Sequence, residues 1–335
     1  MIKTLRTHIW WKAVVPQAMG WVYFGWLMGY TENHDKWFQT LWFLVSLLST
    51  AAFGYLFNDW CDIESDKKAG KENLLSSWPP AMQIVFLLLL AIAALGSWYM
   101  LDKGWMVNAL YALQILSLLA YSLKPIRLKE RALLGVLCDA FYGHVNPALI
   151  TLTFFLDAET RSPVLILLLS LVAIVSAIKG VRNILLHQID DRKKDQRSGV
   201  NTFVVKNGAL FALTYINNFL KSEILFLVLL VGVISYLFPP FVLSLLLFAL
   251  ITYLKFSGWK LSYLPKRQLQ FKFLFFLNNY FEEYLPLFVL IILCVHQPWL
   301  SFLLPLHLIL FPAFLRHLWR DIKTIRLNFE TEHDY

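Results

Sequence analysis

Two clusters of carboxylate and amide side chains each follow a long apolar stretch of the sequence. The first cluster contains Asn58, Asp59, Asp62 and Asp66, and the second contains Asp191 and Asp195. Side chains four residues apart share one face of a helix, and like charges at that spacing repel each other. A cation is therefore expected between them. Hard oxygen ligands that leave room for water and phosphate oxygens suit Mg²⁺, so the pattern predicts a magnesium site for a phosphorylated substrate.

The elements that must carry these clusters are membrane helices. The 335 residues are 58% hydrophobic and only 16% charged, with a mean hydropathy of +0.58. Soluble domains carry about a quarter charged residues, and apolar runs of about 20 residues are long enough to cross a bilayer. The composition predicts an all-α, polytopic transmembrane bundle in a single domain over residues 1–335, and the charge pattern of 316–335 predicts a cytoplasmic tail.

Ten membrane spans are predicted from the apolar runs. They are 13–30, 38–57, 80–101, 105–122, 133–156, 163–186, 222–238, 240–255, 273–295 and 299–315. The ninth contains Asn278, Asn279, Glu282 and Glu283, which either face a polar cavity or place 268–283 at the membrane surface, with the last spans starting near Pro286. Nine or ten helices are therefore expected.

The positive charge is distributed very unevenly between the two sets of loops. Of the 30 Lys and Arg residues, only Lys36, Lys103 and Arg161 fall outside one set. The positive-inside rule makes the basic set cytoplasmic, together with both termini, as in a multi-pass protein of a bacterial inner membrane. This distribution explains the net charge of +8 without a nucleic-acid partner. Three of the basic loops, 58–79, 123–131 and 187–206, contain or adjoin the acidic clusters, which predicts one cytoplasm-facing site for a metal-bound diphosphate.

With these loops in order, the sequence resembles the UbiA superfamily of intramembrane prenyltransferases. The stretch from Asn58 to Asp66 matches the family's Asn-Asp-x-x-Asp-x-x-x-Asp motif at the cytoplasmic end of the second helix. Asp191 and Asp195 match the Asp-x-x-x-Asp motif after the sixth helix. The segment from Tyr121 to Lys129 resembles the tyrosine-plus-basic loop after the fourth. The resemblance extends over most of the chain, from about residue 10 to 300, and implies that these residues form the core of the domain.

The resemblance implies a helical bundle around a central cavity open to the cytoplasm, where Mg²⁺ and the diphosphate of an isoprenoid donor bind. The implied metal and diphosphate ligands are Asn58, Asp62, Asp66, Asp191 and Asp195, with Asp59 in support. Tyr121, Arg127 and Lys129 would contact the diphosphate or shield an allylic cation. Lys71 stands near the position of a family arginine, and Lys124 precedes Pro125, which replaces the loop's usual lysine. Before the second motif, His187-Gln188 replaces the paired asparagines that quinone-forming relatives often show.

Further polar residues fall within the apolar runs. Lys179, Asn183, His187, Asp191 and Asp195 form a row at i, i+4 spacing, which predicts that Asn183 faces the cavity near the diphosphate. His187 is either a proton acceptor late in the reaction or a packing residue. Asp139 and Asn146, in the fifth span, either line the acceptor side of the cavity or form a helix-to-helix hydrogen bond.

The predicted function is Mg²⁺-dependent transfer of an isoprenyl group from a prenyl diphosphate to a hydrophobic acceptor, through an allylic carbocation. The acceptor would be an aromatic compound, a quinone precursor or a lipid. A terpene cyclase of the same superfamily would ionise the same donor without an acceptor. A transporter or a lipid-binding protein is the alternative from another class, but the polar groups gather at one membrane face rather than at its middle.

Overall fold

The computed structural model describes residues 7–29, 35–70, 72–156, 162–255 and 276–332. Within these ranges the regular structure is helical, apart from one isolated bridge between Ala132 and Thr202. The predicted all-α fold class is therefore confirmed.

The helices run in the order expected from the apolar runs. The first seven are α1 Thr7–Leu27, α2 Asp35–Ala69, α3 Pro80–Tyr99, α4 Trp105–Ser122, α5 Leu133–Ala140, α6 Asn146–Phe155 and α7 Pro163–Ser198. The others in the described ranges are α8 Phe203–Asn207, α9 Ala209–Leu237, α10 Val242–Tyr253, α11 Phe276–Asn279, α12 Leu285–His296, α13 Leu303–Leu310 and α14 Ala313–Glu332. A π-helical turn, Phe141–Val145, joins α5 to α6, and a second, Tyr280–Tyr284, joins α11 to α12.

Seven helical segments of the described chain are long and apolar enough to cross a membrane. The number rises to eight if Pro298–Leu310 and Ala313–Thr324, which meet at 67°, form one broken span. The predicted count of nine or ten is not confirmed. Helix α1 is outside the seven because Lys12, Gln17 and four tryptophans lower its hydropathy. The apolar segment Pro239–Tyr253 is shorter than the other spans.

The helices that carry the acidic clusters extend well beyond their apolar parts. Helix α2 has 35 residues and ends at Ala69, whereas the predicted span ended at residue 57. Helix α7 has 36 residues and continues to Ser198, past the predicted end at 186. The acidic clusters thus lie within helices, so residues at i and i+4 in each cluster share one helix face, as the sequence predicted. Both helices end at what we call the polar end of the bundle, formed by residues 58–70, 72–79, 123–132 and 187–206.

The acids of the predicted ninth span lie inside the protein. Glu282 and Glu283 belong to the π-helical turn between α11 and α12. Glu282 pairs with Lys179 of α7 at 3.2 Å, and Glu283 pairs with His317 of α14 at 2.8 Å. Of the two interpretations, the structure favours polar contacts within the bundle over a segment at the membrane surface.

Helix α7 packs against several other helices of the bundle. It packs against α2, α5, α6 and α9, and its contact with α5 is very close at Gly180. A Cβ atom at Gly180 would lie 2.8 Å from the Cα of Ala140. Small residues allow membrane helices to approach this closely. Helix α7, which carries the second acidic cluster near its C-terminal end, therefore holds α5 in a fixed position.

Candidate functional site

The central acid of the first cluster, Asp62, is held by two basic residues of the loop after α4. Lys129 Nζ lies 2.6 Å from each carboxylate oxygen of Asp62, and Arg127 Nη2 donates to Asp62 Oδ1 at 3.0 Å. All three side chains are largely buried. The positive charge expected between the acids is thus supplied, around Asp62, by the chain itself.

Lys129 also connects Asp62 to Asn58, one turn earlier on α2. Its ammonium donates to Asn58 Oδ1 at 2.8 Å, and the Ser122 hydroxyl donates to the same oxygen at 2.9 Å. Burial lowers the pKa of Lys129 below its ordinary value of 10.5, and the nearby Asp62 carboxylate opposes that shift. A partly desolvated ammonium in this position is well suited to bind an anion.

Asn73, a residue that the motif did not include, contacts the carboxylate of Asp66 and the backbone of Asp59. Its amide donates to Asp66 Oδ2 at 2.9 Å and to the carbonyl of Asp59 at 2.8 Å. Its side-chain oxygen accepts from the backbone N–H of Leu75 and caps the short 3₁₀ turn that follows. The sequence signal for this role was an asparagine just before a turn, which is too common to single out.

The loop between α4 and α5 presents its basic residues through an unusual backbone. Arg127 adopts a left-handed conformation, with φ of 38°, and its side chain is buried. A non-glycine residue in this region is uncommon and marks a position that its surroundings hold in place. Lys124, in contrast, is exposed. Lys71 lies outside the described residues.

The second cluster reaches the same end of the bundle on α7. Asp191 is half exposed and pairs with Lys194 at 3.1 Å, whereas Asp195 is buried. The helix ends at Ser198 and is capped by Gly199, whose φ of 71° suits glycine. Just beyond, the carbonyl of Asn201 accepts from the N–H of Ala132 at 3.3 Å. This bond ties the loop after α7 to the loop that holds Arg127 and Lys129.

The two clusters meet at one cavity of about 360 Å³. Asn58, Tyr121, His187 and Asp191 all line it near the polar end. Along α2 its wall runs from Asn58 to Phe43, which corresponds to about 22 Å of helix. The deep part is lined by apolar and aromatic side chains, which include Val15, Phe43, Leu47, Trp98, Leu118 and Ile150. The cavity thus suits a molecule with a charged head and an apolar tail.

The predicted ligands do not all face this cavity. Asp62 adjoins it through Lys129 and Asn58, whereas Asp59, Asp66 and Asp195 are not part of its wall. Within the described ranges, no three Asp, Glu, His or Cys side chains are grouped closely enough to hold a metal ion. The arrangement is an open set of oxygen atoms beside two cations.

Asn183 lies in a different polar network. Its side-chain oxygen accepts from Asn278 at 3.2 Å, and Asn278 in turn accepts from Arg182 at 2.6 Å. Four residues of an α-helix turn through about 400°, so an i, i+4 row drifts by about 40° at each step. Lys179 and Asn183 therefore lie off the face of α7 on which His187 and Asp191 line the cavity.

The fifth span contributes a polar wall to the cavity. Asp139, Tyr142 and Gly143 line it, and Tyr142 Oη donates to Asp139 Oδ1 at 2.8 Å. The rings of Tyr142 and Tyr121 lie 5.1 Å apart in an edge-to-face arrangement. Asn146 instead donates to the carbonyl of Leu110 and to Gln114 on α4. Of the two residues, only Asn146 forms the expected helix-to-helix hydrogen bond.

Comparisons with known proteins agree with the fold and the motifs. Residues 18–280 match the UbiA prenyltransferase family. The structure of a UbiA homolog from Archaeoglobus fulgidus bound to GPP and Mg²⁺ is 16% identical, with a TM-score of 0.57 over 85% of this chain and 97% of that chain. A structure described in the same words, but bound to DMAPP and Mg²⁺, is 15% identical, with a TM-score of 0.56 over 85% and 98%. No curated protein sequence matches this chain.

Proposed function

The chain belongs to the UbiA prenyltransferase family, and from this premise we propose that it transfers an isoprenyl group from a prenyl diphosphate to a hydrophobic acceptor, with Mg²⁺ as cofactor. The observation that carries the proposal is the cavity that both acidic clusters reach, with Asn58 and Asp191 at one end and an apolar interior. The cofactor and the donor class are those of the A. fulgidus homolog, which is described as bound to GPP or DMAPP with Mg²⁺.

The donor atoms at the polar end fit Mg²⁺. Asn58, Asp62 and Asp191 offer only oxygen ligands, which this hard cation prefers. Mg²⁺ commonly binds through one or two carboxylates, waters and substrate phosphates rather than in a closed protein cage. A set of acids that is not grouped around one point is compatible with that mode. When bound, Mg²⁺ supplies neutralisation of the phosphate oxygens as negative charge develops on them.

Lys129 and Arg127 would bind the rest of the diphosphate charge. Both cations form ion pairs with Asp62. The diphosphate competes for them more strongly than the Asp62 carboxylate because it carries more charge and more oxygens. As the bond between the prenyl carbon and the diphosphate oxygen breaks, charge accumulates on the leaving group. Cations already held in place stabilise that charge without reorganisation.

The walls of the cavity would protect the allylic cation that remains. Apolar side chains exclude water, which would otherwise react with the cation. The adjacent rings of Tyr121 and Tyr142 offer aromatic faces to positive charge. The tail of the donor would extend along α2 toward Phe43. We further propose that the polar end faces the cytoplasm and that the chain acts as one domain.

A diphosphate-release assay tests this function. The purified chain is incubated with geranyl, farnesyl or geranylgeranyl diphosphate, with and without aromatic and lipid acceptors. We expect release that requires Mg²⁺, stops in EDTA, and falls by about 100-fold or more in Asp62→Asn and Asp191→Asn, since each removes a charge that positions the reacting group. The exposed neighbour Asp190→Asn is the matched control.

Three outcomes would count against the proposal. Full activity in EDTA would exclude the metal, and wild-type rates in both variants would exclude the two acids. Release of diphosphate together with a cyclic hydrocarbon, with no acceptor present, would replace the transferase with a terpene cyclase.

A further inference from the structure

Asp139, in the wall that the fifth span contributes to the cavity, has no role in donor binding as described above. Asp139 lies on α5, about 9 Å along the helix from Leu133, in a wall that is otherwise mostly apolar. A carboxylate inside a membrane protein is costly and is a functional candidate by default. Its place in the cavity wall makes it accessible to a bound molecule.

A purely structural role does not account for Asp139. Its hydrogen-bond donor, Tyr142, is three residues away on the same helical segment, so this bond connects no two helices. Hydrogen bonds from this span to α4 are made by Asn146, about two turns further along, and by the Tyr142 carbonyl, which accepts from Gln114. Within the described ranges, no hydrogen bond to Asp139 Oδ2 is found, which leaves acceptor capacity on a carboxylate that lines the cavity.

We propose that Asp139 is the catalytic base that takes the proton released by the acceptor, and that Tyr142 is the residue that positions it. This inference rests on the proposed transferase function. The carboxylate, the head-binding residues Asn58 and Asp191, and the Tyr121 ring all line one cavity. An acceptor that reaches the allylic carbon from the α5 side would present its hydroxyl group to Asp139.

The step balances without a further reactant. The bond between the allylic carbon and the diphosphate oxygen breaks, and its electron pair leaves with diphosphate. A bond forms between the allylic carbon and a nucleophilic carbon or oxygen of the acceptor. The proton lost by the acceptor moves to the Asp139 carboxylate, which returns it to solvent after the product leaves.

A binding experiment tests the hydroxyl site directly. The full chain, with Mg²⁺ and inorganic diphosphate present, is titrated with 1-naphthol and with 1-methoxynaphthalene, which lacks the hydroxyl proton. We expect the wild type to bind 1-naphthol at least tenfold more tightly, as a hydrogen bond to a charged group supports. Asp139→Asn should reduce this preference to about threefold or less. Asp102→Asn, an exposed acid between α3 and α4, should retain it.

Tyr142→Phe tests the same carboxylate without altering it. We expect a smaller preference for 1-naphthol and an unchanged Kd for 1-methoxynaphthalene, whereas a loss of packing would weaken both ligands. In turnover with any acceptor found active, Asp139→Asn should lower kcat by about 100-fold or more and leave the donor Kd within twofold. A rate loss in His187→Gln but not in Asp139→Asn would assign the base to His187 and overturn the proposal.

The result also separates this proposal from the function on which it rests. A wild type without preference for 1-naphthol, or an Asp139→Asn variant that keeps it, would overturn the role of Asp139. Binding of inorganic diphosphate is measured in the same samples. If the wild type fails to bind it with Mg²⁺, the proposed function fails, whatever the naphthol titrations give.

Discussion

At the scale of single residues, the candidate site is centred on Asp62, whose negative charge is balanced by Lys129 and Arg127 of the loop between α4 and α5. Asp62 repels its neighbours on α2, and that repulsion would destabilise the end of the helix. Lys129 and Arg127 offset it by direct ion pairs, and Lys129 also fixes the Asn58 amide. The two basic side chains that stabilise the helix end are thus the same two that we propose to bind the diphosphate.

Lys129 is expected to be the cation on which donor affinity depends most. Lys129→Met keeps the length of the side chain but removes the charge that contacts both Asn58 and Asp62. We expect the Kd for geranyl diphosphate with Mg²⁺ to rise by about 10-fold or more, in line with loss of a charge-assisted hydrogen bond. Equilibrium titration of the purified protein measures it.

The control for this variant is Lys68→Met, which removes an exposed lysine from the last turn of α2. It keeps the same change in net charge, so a general electrostatic effect would appear in both variants. Equal Kd values for the two variants would contradict the specific role of Lys129.

The motif residues could be predicted from the sequence because their spacing is local. Asn58 and Asp62 stay on one face over a single turn of α2, where the angular drift of the i, i+4 row is small. The row on α7 makes four i, i+4 steps from Lys179 to Asp195 and turns through about 160°. Asn183 lies two of these steps, about 80°, from Asp191, and it joins Asn278 instead of lining the cavity. Asn73 contacts partners that spacing alone does not reveal, whereas the place of Asp139 in the cavity wall was one of the two alternatives that the sequence left open.

At the scale of elements, the sequence located the apolar runs but not the helix ends. A polar residue can continue a helix into water, so hydropathy marks where the membrane ends rather than where α2 or α7 ends. The hydropathy pattern also could not predict which residues form pairs between helices that are distant in the sequence. Arg182 of α7 and Glu223 of α9 are fully buried and joined at 2.6 Å, although they lie 41 residues apart in the sequence. Only the tertiary structure shows that each neutralises the other.

The close contact between α5 and α7 is expected to be essential for both elements. In Gly180→Ala the new methyl group would meet the Ala140 backbone at 2.8 Å, and backbone cannot rotate away as a side chain can. We expect a loss of about 1–3 kcal/mol in unfolding free energy, typical of overpacking. Denaturant unfolding in one detergent measures the change.

Gly232 provides the matched control on α9. A Cβ atom there meets no atom within 4 Å, so Gly232→Ala should be neutral or slightly stabilising, because alanine favours the helix. If both variants lost the same stability, the effect would come from glycine in a helix generally, and not from the contact with α5.

At the scale of the whole molecule, charge is separated between the two ends of the bundle. Basic residues gather at the polar end and on α14, where Arg316, Arg320 and Lys323 are exposed beside an exposed apolar stripe of Leu315, Leu318, Trp319 and Ile322. Such a helix is suited to lie along the surface of an anionic leaflet. Its inner face is fixed to the bundle by the pairs His317–Glu283 and Asp321–Lys255.

The separation of charge predicts the orientation of the protein in its membrane. Positive loops remain on the cytoplasmic side during insertion, so the polar end should face the cytoplasm and the loop between α3 and α4 should face outward. Two single-cysteine variants report on the two ends, Lys68→Cys and Asp102→Cys, each in a chain whose three native cysteines are replaced by alanine. A membrane-impermeant maleimide applied to intact cells should label Asp102→Cys and reach Lys68→Cys only after the membrane is broken. The reverse pattern would put the diphosphate site on the outer face, away from any cytoplasmic supply of its donor.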